Sequence, residues 1–238
     1  MALVAHDDAA TTTEGTGTAS ATIAVSTDDL IIVSIGTLYG GTWCTGVGDD
    51  VGNTYIIRDH LTSHSGHSLA TAYCLKSIGV DAENEITITF NDATNIRKNV
   101  VASSWTPDSG DTVTLDDVSS GEFTYEASPW ETDSDISTTG TDELVIAALQ
   151  TSSATITFSN HEIPSGTEAS VLADPGYGGT AWYRILTGTL TNEEAEVDPS
   201  AGYPYSIEAL AFISEAGEEA GTNIKPRIIY LNRKRRTT

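Results

Sequence analysis

Three histidines stand close together in Asp59-His-Leu-Thr-Ser-His-Ser-Gly-His-Ser68, and His60, His64 and His67 are the residues best able to hold a borderline metal. Their spacing falls in a Ser/Gly-rich segment between apolar stretches, where no element orients the rings, so a solvated loop is the expectation and no metal site is assigned. Carboxylates cluster in Gly48-Asp-Asp-Val-Gly-Asn53, Asp81-Ala-Glu-Asn-Glu85, Asp108-Ser-Gly-Asp111 and Glu193-Glu-Ala-Glu-Val-Asp198. Such loops offer oxygen to a hard cation, but none has twelve-residue calcium-loop spacing with a closing bidentate Glu. Asp, Asn and Gly also close turns through side-chain hydrogen bonds and positive φ, and that is the expected role.

Catalytic arrangements are missing from the sequence. A glycosidase on a β scaffold needs two acids on alternate positions of a central strand. The apolar strands carry none, and Glu194, Glu196 and Asp198 fall in what reads as a hairpin rim. No Gly-x-Ser-x-Gly elbow, Walker loop or Gly-x-Gly-x-x-Gly fingerprint occurs. The chain reads as non-enzymatic and without a cofactor. Tyr39, Trp43, Trp130, Tyr177, Tyr203 and Tyr205 sit near expected loops or strand ends, where rings can stack on sugars or plug the rim of a sheet. Of these, Trp43, Trp130 and Tyr177 are the candidate glycan contacts.

The elements that must position these residues are strands. Short runs rich in Val, Ile, Thr and Tyr, bounded by Gly, Asp, Asn and Ser, recur along 238 residues, and helix signals are nearly absent. Ile86-Thr-Ile-Thr-Phe90 alternates, as does Ala19–Val25 more weakly. Leu30-Ile-Ile-Val-Ser-Ile35 and Leu144-Val-Ile-Ala-Ala-Leu149 are nearly apolar throughout, as central strands covered on both faces are. Further strands are expected at 54–58, 68–76, 99–105, 122–127, 154–158, 180–187 and 206–213. The pattern predicts an all-β, antiparallel β-sandwich over 19–214, after an N-terminal segment 1–18 and before a linker and extended C-terminal arm over 215–238.

An internal echo runs through the body. Thr27-Asp-Asp-Leu-Ile-Ile-Val33 matches Thr141-Asp-Glu-Leu-Val-Ile-Ala147, Ser68–Leu75 matches Gly179–Leu186, and Val100–Trp105 matches Ile207–Phe212. The offset near 110 residues points to a duplicated sheet arrangement. Two separate half-length domains would have thin cores, so the preferred expectation is one domain in which the halves interleave.

Charge is divided unevenly. The net charge is −23, and the part through Gly221 carries −29 against +6 for the segment after it. An acidic body of pI about 4.2 repels nucleic acid and anionic membranes. No apolar run approaches the roughly 20 residues of a membrane helix, and the N-terminus does not read as a secretory signal. The arm joins a β-prone string, Ile228, Ile229, Tyr230 and Leu231, to a basic cluster, Arg233, Lys234, Arg235 and Arg236. The cluster alone also fits nucleic acid or nuclear import, but the acidic body opposes phosphate. Docking on a neighbour is expected, the string as an added strand or groove filler and the cluster on an acidic surface. Cys44 and Cys74 each follow an aromatic, and permit a buried thiol pair or one disulfide.

Asp28-Asp-Leu-Ile-Ile-Val33, Asp49-Asp-Val-Gly-Asn-Thr-Tyr55, Ala72-Tyr-Cys-Leu75, Asn84-Glu-Ile-Thr-Ile-Thr-Phe90, Thr141-Asp-Glu-Leu-Val-Ile146 and Glu208-Ala-Leu-Ala-Phe212 together resemble jelly-roll (concanavalin-like) sandwich proteins of tailed-phage structural modules and some bacterial surface proteins. The resemblance spans residues 10–214. It implies a virion protein on the outer surface of the head, or less readily the tail, whose partners are the major capsid protein or tail proteins. It also implies a homo-oligomer, of which a trimer is one form; the alternative, a tail/baseplate or surface carbohydrate-binding (receptor-binding) module, rests on the aromatics Trp43, Trp130 and Tyr177. The basic arm lies outside the shared pattern.

Overall fold

The computed structural model describes residues 3–15, 17–38, 41–58, 61–62, 66–92, 96–123, 127–164 and 166–216. Every regular element among them is a strand: β1 (Val4–Thr13), β2 (Thr18–Thr27), β3 (Leu30–Leu38), β4 (Cys44–Asp49), β5 (Ile56–Ile57), β6 (Leu61–Thr62), β7 (His67–Cys74), β8 (Ile78–Phe90) and β9 (Arg97–Thr106) in the first half. The second half contains β10 (Asp111–Phe123), β11 (Trp130–Glu131), β12 (Leu144–Thr151), β13 (Phe158–Glu162), β14 (Ser170–Gly176), β15 (Gly179–Ile185), β16 (Glu196–Pro199) and β17 (Tyr205–Ala216). All ladders are antiparallel.

The two halves have the same strand order. In the first, β1-β9-β3-β7-β5 faces β2-β8-β4; in the second, β10-β17-β12-β15-β14 faces β11-β16-β13. Register makes the match residue by residue. Val33 lies opposite Ala72 and Ala102, and Ala147 lies opposite Trp182 and Ala209. The offset therefore runs from about 107 to about 114 residues. For the strand after the central one it is 110, which moves the expected pairing of Ser68 with Gly179 by one residue. That one step matters, because it swaps the faces of a strand: Tyr73 corresponds to Tyr183, and both turn away from their own half's core.

The halves do not interleave as expected. Among the described residues no ladder joins them, and each has its own core. Ile31, Val33, Ile35, Ala72 and Ala102 meet Ile23, Val25, Ile86 and Ile88 in the first. Val145, Ala147, Trp182 and Ile207 meet Trp130 and Val197 in the second. What thickens these thin cores is a third layer. The alternate residues of the large sheets, Leu30, Ile32, Tyr73 and Trp105 against Leu144, Ile146, Leu210 and Phe212, pack face to face. Sheets buried on both sides explain why β3 and β12 are apolar at nearly every position.

The contact is reciprocal. Tyr73 packs edge-on against Phe212 at 5.4 Å, and Tyr183 against Trp105 at 4.7 Å. Since Tyr73 corresponds to Tyr183 and Trp105 to Phe212, the halves pack as an isologous dimer does, within one chain.

Residues 4–13, expected to precede the domain, are instead the edge strand of the first large sheet, paired with β9 from Val4↔Thr106 to Thr13↔Lys98. Their sequence hides this because the strand is half wet and rich in Asp and Thr. The strand expected at 122–127 starts at Asp111, and the acidic "rim" around Glu196 is the middle strand of a three-stranded sheet.

Candidate functional site

The side chains with most chemical capability meet in the layer between the large sheets. His67 opens β7, and its Nε2 lies 3.0 Å from Ser206 Oγ on β17. Two residues along the same face of β17, Glu208 accepts a 2.6 Å hydrogen bond from Thr71 Oγ1, and Arg58 Nε lies 3.5 Å from its other oxygen. Further along the layer, Asn99 Nδ2 donates to Gln150 Oε1 at 2.9 Å. Gln150 Nε2 donates to Thr151 O and Tyr177 O at 2.8 and 3.1 Å.

A serine, a histidine and a glutamate in one seam have the residue types of a nucleophilic site. Their setting is different. His67 and Ser206 are fully buried and Glu208 is 3% exposed, and the enclosed volume beside Asn99 and Gln150 is about 10 Å³, at most one water. Burial pushes the His67 imidazole down to about 4, so it is neutral across the physiological range. The seam pairs buried polar groups across two sheets and so fixes their register.

The histidine expectation is thus corrected at its last member: His67 is a buried strand residue, not part of a solvated loop. His60 and His64 lie outside the described residues. Among the described residues no cluster of three or more His, Cys, Asp or Glu side chains is placed to hold a metal.

The acidic loop after β4 is a turn. Asp49 accepts bonds from the amides of Gly52 and Asn53, from Asn53 Nδ2, Tyr55 Oη and Asn84 Nδ2, at 2.7–2.9 Å. Burial raises the pKa of this carboxyl, but those donors outweigh it and hold it below the usual carboxylate range. Beside it, on the outer face of β4 and β8, an open channel of about 490 Å³ runs over Gly46 and Gly48 between Asp50, Glu85, Thr87 and Thr89.

The expected glycan contacts do not form one platform. Trp130 is fully buried and stacked on Tyr205 at 4.4 Å and 11°, and Phe123 also stacks on Tyr205, at 4.6 Å and 19°. Both Trp130 and Tyr205 are core residues, which corrects their reading as surface aromatics. Their flanking Pro and Gly mark turns, and turn residues say nothing about whether the ring beside them points inward. Trp43 is half-buried just before β4, held by a 2.8 Å bond from its amide to Asn91 Oδ1. Tyr177 sits at φ 52° in the β14–β15 turn with Arg97 over its ring at 4.2 Å. Tyr203 is exposed, and Tyr39 lies outside the described residues. Cys44 and Cys74 are both free and buried in the first core, and burial pushes the Cys44 thiol up to about 11. The arm residues Ile228, Ile229, Tyr230, Leu231, Arg233, Lys234, Arg235 and Arg236 lie outside the described residues.

Sequence reasoning missed the seam. Its only signal was polar residues, Thr71, Asn99, Gln150 and Glu208, placed inside strands that otherwise read as buried. Comparison with family models, with curated proteins and with solved structures finds no match for this chain.

Proposed function

We propose that the chain is a non-enzymatic virion structural protein, a head-decoration protein of a tailed phage, with two jelly-roll β-sandwiches as its body and the C-terminal arm as part of its anchor. The observation that carries this reading is the fate of the reactive side chains. Ser206, His67 and Glu208 are spent on joining two sheets, while the exterior is left to charge. A body at −29 keeps neighbouring particles apart and soluble, and the +6 segment supplies the opposite charge for holding an acidic partner surface. The sequence resemblance to phage jelly-roll proteins supports the same assignment.

Quantitative mass spectrometry of gradient-purified particles, before and after a high-salt wash, tests it. A copy number near that of the major capsid protein, with release by salt, is the expected result. Absence from particles overturns the proposal, and a handful of copies moves the chain to the tail.

The second reading, a carbohydrate-binding module of a tail or cell surface, draws on the open channel over Gly46 and Gly48, where hydroxyls and carboxylates face solvent. Sugar hydroxyls pair with such groups. Glycan-array binding lost on Glu85→Ala or Thr87→Ala would favour it; a blank array removes it.

A further inference from the structure

β10 is the last strand of the second large sheet, and among the described residues its only ladder is with β17. Its first residues line an open groove of about 330 Å³. Four consecutive residues, Asp111 to Thr114, border the groove, so it follows the strand's free edge rather than one face. Val113 and Leu75 give this end apolar walls. The groove continues into a second opening of about 350 Å³ through the shared residues Asp28 and Asp111, and Asp108 lies there. Among the described residues on either wall the only cation is Lys76, 3.2 Å from Asp28 Oδ1. The channel therefore has an apolar end beside an unpaired strand edge and an acidic end with surplus negative charge.

The described chain stops beside it. Ala216, the last residue of β17, is registered opposite Asp111. The sequence that follows has the two halves of the channel in order, an apolar β-prone string at 228–231 and a basic cluster at 233–236. Residues 217–227 reach up to about 36 Å when extended, more than enough to turn back over one strand. A tether this short gives an effective concentration in the millimolar range, far above that of any neighbouring copy in dilute solution.

We infer that the channel along the free edge of β10 is the docking site of the chain's own C-terminal segment, with Ile228–Leu231 added along Asp111–Thr114 and Arg233–Arg236 set against Asp108, Asp111 and Asp28. Strand addition satisfies edge amides and carbonyls that otherwise face water and other chains. The inference concerns the free chain and does not depend on the virion reading. In any assembly, this contact is what an external partner of the arm has to displace.

Zero-length carbodiimide cross-linking of the full chain tests it, using an equal mixture of unlabelled and nitrogen-15-labelled protein. Lys234 is expected to couple to Asp108, Asp111 or Asp28, with both peptides of each product carrying the same isotope. D108K/D111K, checked for folding by circular dichroism, should lower the yield of Lys234 products by about tenfold or more. In hydrogen exchange, edge amides of residues 112–114 (the Asp111 amide already bonds Asp108 O at 3.0 Å) should exchange about tenfold faster in the full-length I229D/L231D variant than in the parent. Mixed-isotope products would assign the site to a second copy's tail. Products scattered over acidic surface, no Lys234 products, or unchanged exchange would also overturn the inference.

Discussion

Asp29 and Glu143 stand at one position of the repeat, each a fully buried carboxylate following a left-handed Asp and preceding its central strand, but only Asp29 has both oxygens hydrogen-bonded. Asp29 accepts from His6 Nδ1, the Ser26 amide and Thr106 Oγ1, each at 2.8 Å. Glu143 Oε1 accepts from the Gly140 amide, while Oε2 is buried without a partner. The main-chain role is the same in both, since Asp29 O receives the Ser77 amide and Glu143 O the Leu186 amide. The side-chain difference has a measurable consequence. Burial, with the Asp116 carboxylate adding to it, pushes Glu143 up to about 7 from an ordinary 4.5.

An acid whose folded-state pKa is raised destabilises the fold as pH rises from the unfolded value through the folded one. Between about pH 4.5 and 7 the unfolded chain releases the proton that the folded chain keeps. Glu143→Gln is neutral at every pH, keeps an oxygen for Gly140, and turns an N–H donor toward Asp116. It should leave stability nearly unchanged at pH 4 and raise it at pH 8, by at most on the order of 3 kcal/mol. Urea titrations of parent and variant at the two pH values check this. A difference independent of pH refutes the assignment.

His67 acts with the opposite sign. Its folded pKa of about 4 lies below the ordinary 6.5, so stability falls as pH drops through that interval, where the unfolded chain takes up a proton that the buried ring refuses. His67→Gln retains a donor for Ser206 and removes this acid-side loss. The variant should lose less stability than the parent between pH 7 and 4.5, by on the order of 2–3 kcal/mol. Equal losses in the two proteins would mean that the ring is reached by water.

The polar seam predicts a coupling between Gly36 and Gln150. A Cβ on Gly36 would lie 2.0 Å from Gln150 Oε1, the atom that accepts from Asn99. Gly36→Ala should displace that amide and cost about 1–3 kcal/mol. In a Gln150→Ala background the same substitution meets no amide and should cost little, so the double-mutant cycle is non-additive by about 1 kcal/mol or more. Additive denaturation energies would show that the Gln150 side chain is not fixed by Asn99.

How far the sequence carried depends on which face each residue meets. Leu30–Ile35 and Leu144–Leu149 were legible as central strands because both of their faces are buried, so no alternation is needed to recognise them. The echo between Thr27–Val33 and Thr141–Ala147 marked the repeat for the same reason. β1 was not legible: Val4-Ala-His-Asp-Asp-Ala-Ala-Thr-Thr-Thr13 pairs on one edge only and shows one face to water, a pattern shared with loops. The seam was invisible because it pairs residues 139 positions apart, as in His67 with Ser206. Trp130 was misplaced because Ser128 and Pro129 before it look like a turn, although the indole they introduce fills a core.

The reciprocal aromatic pairs and the layer around them join the two halves, which predicts that they unfold as one cooperative unit, and probes in each core can test this. Cys44 and Cys74 are buried in the first core, Trp130 and Trp182 in the second. Tyr73→Ala removes the edge-on contact with Phe212 without touching either separate core, and should cost about 3–5 kcal/mol. With Trp43→Phe and Trp105→Phe introduced into parent and variants alike, so that Trp130 and Trp182 of the second core are the remaining indoles, thiol labelling and tryptophan fluorescence should report one urea midpoint in the parent, because the shared layer ties the cores together. In Tyr73→Ala/Tyr183→Ala, which strips both reciprocal pairs, the two midpoints should separate. Parent midpoints that already differ would mean that each half folds on its own and that the face between them is only a contact.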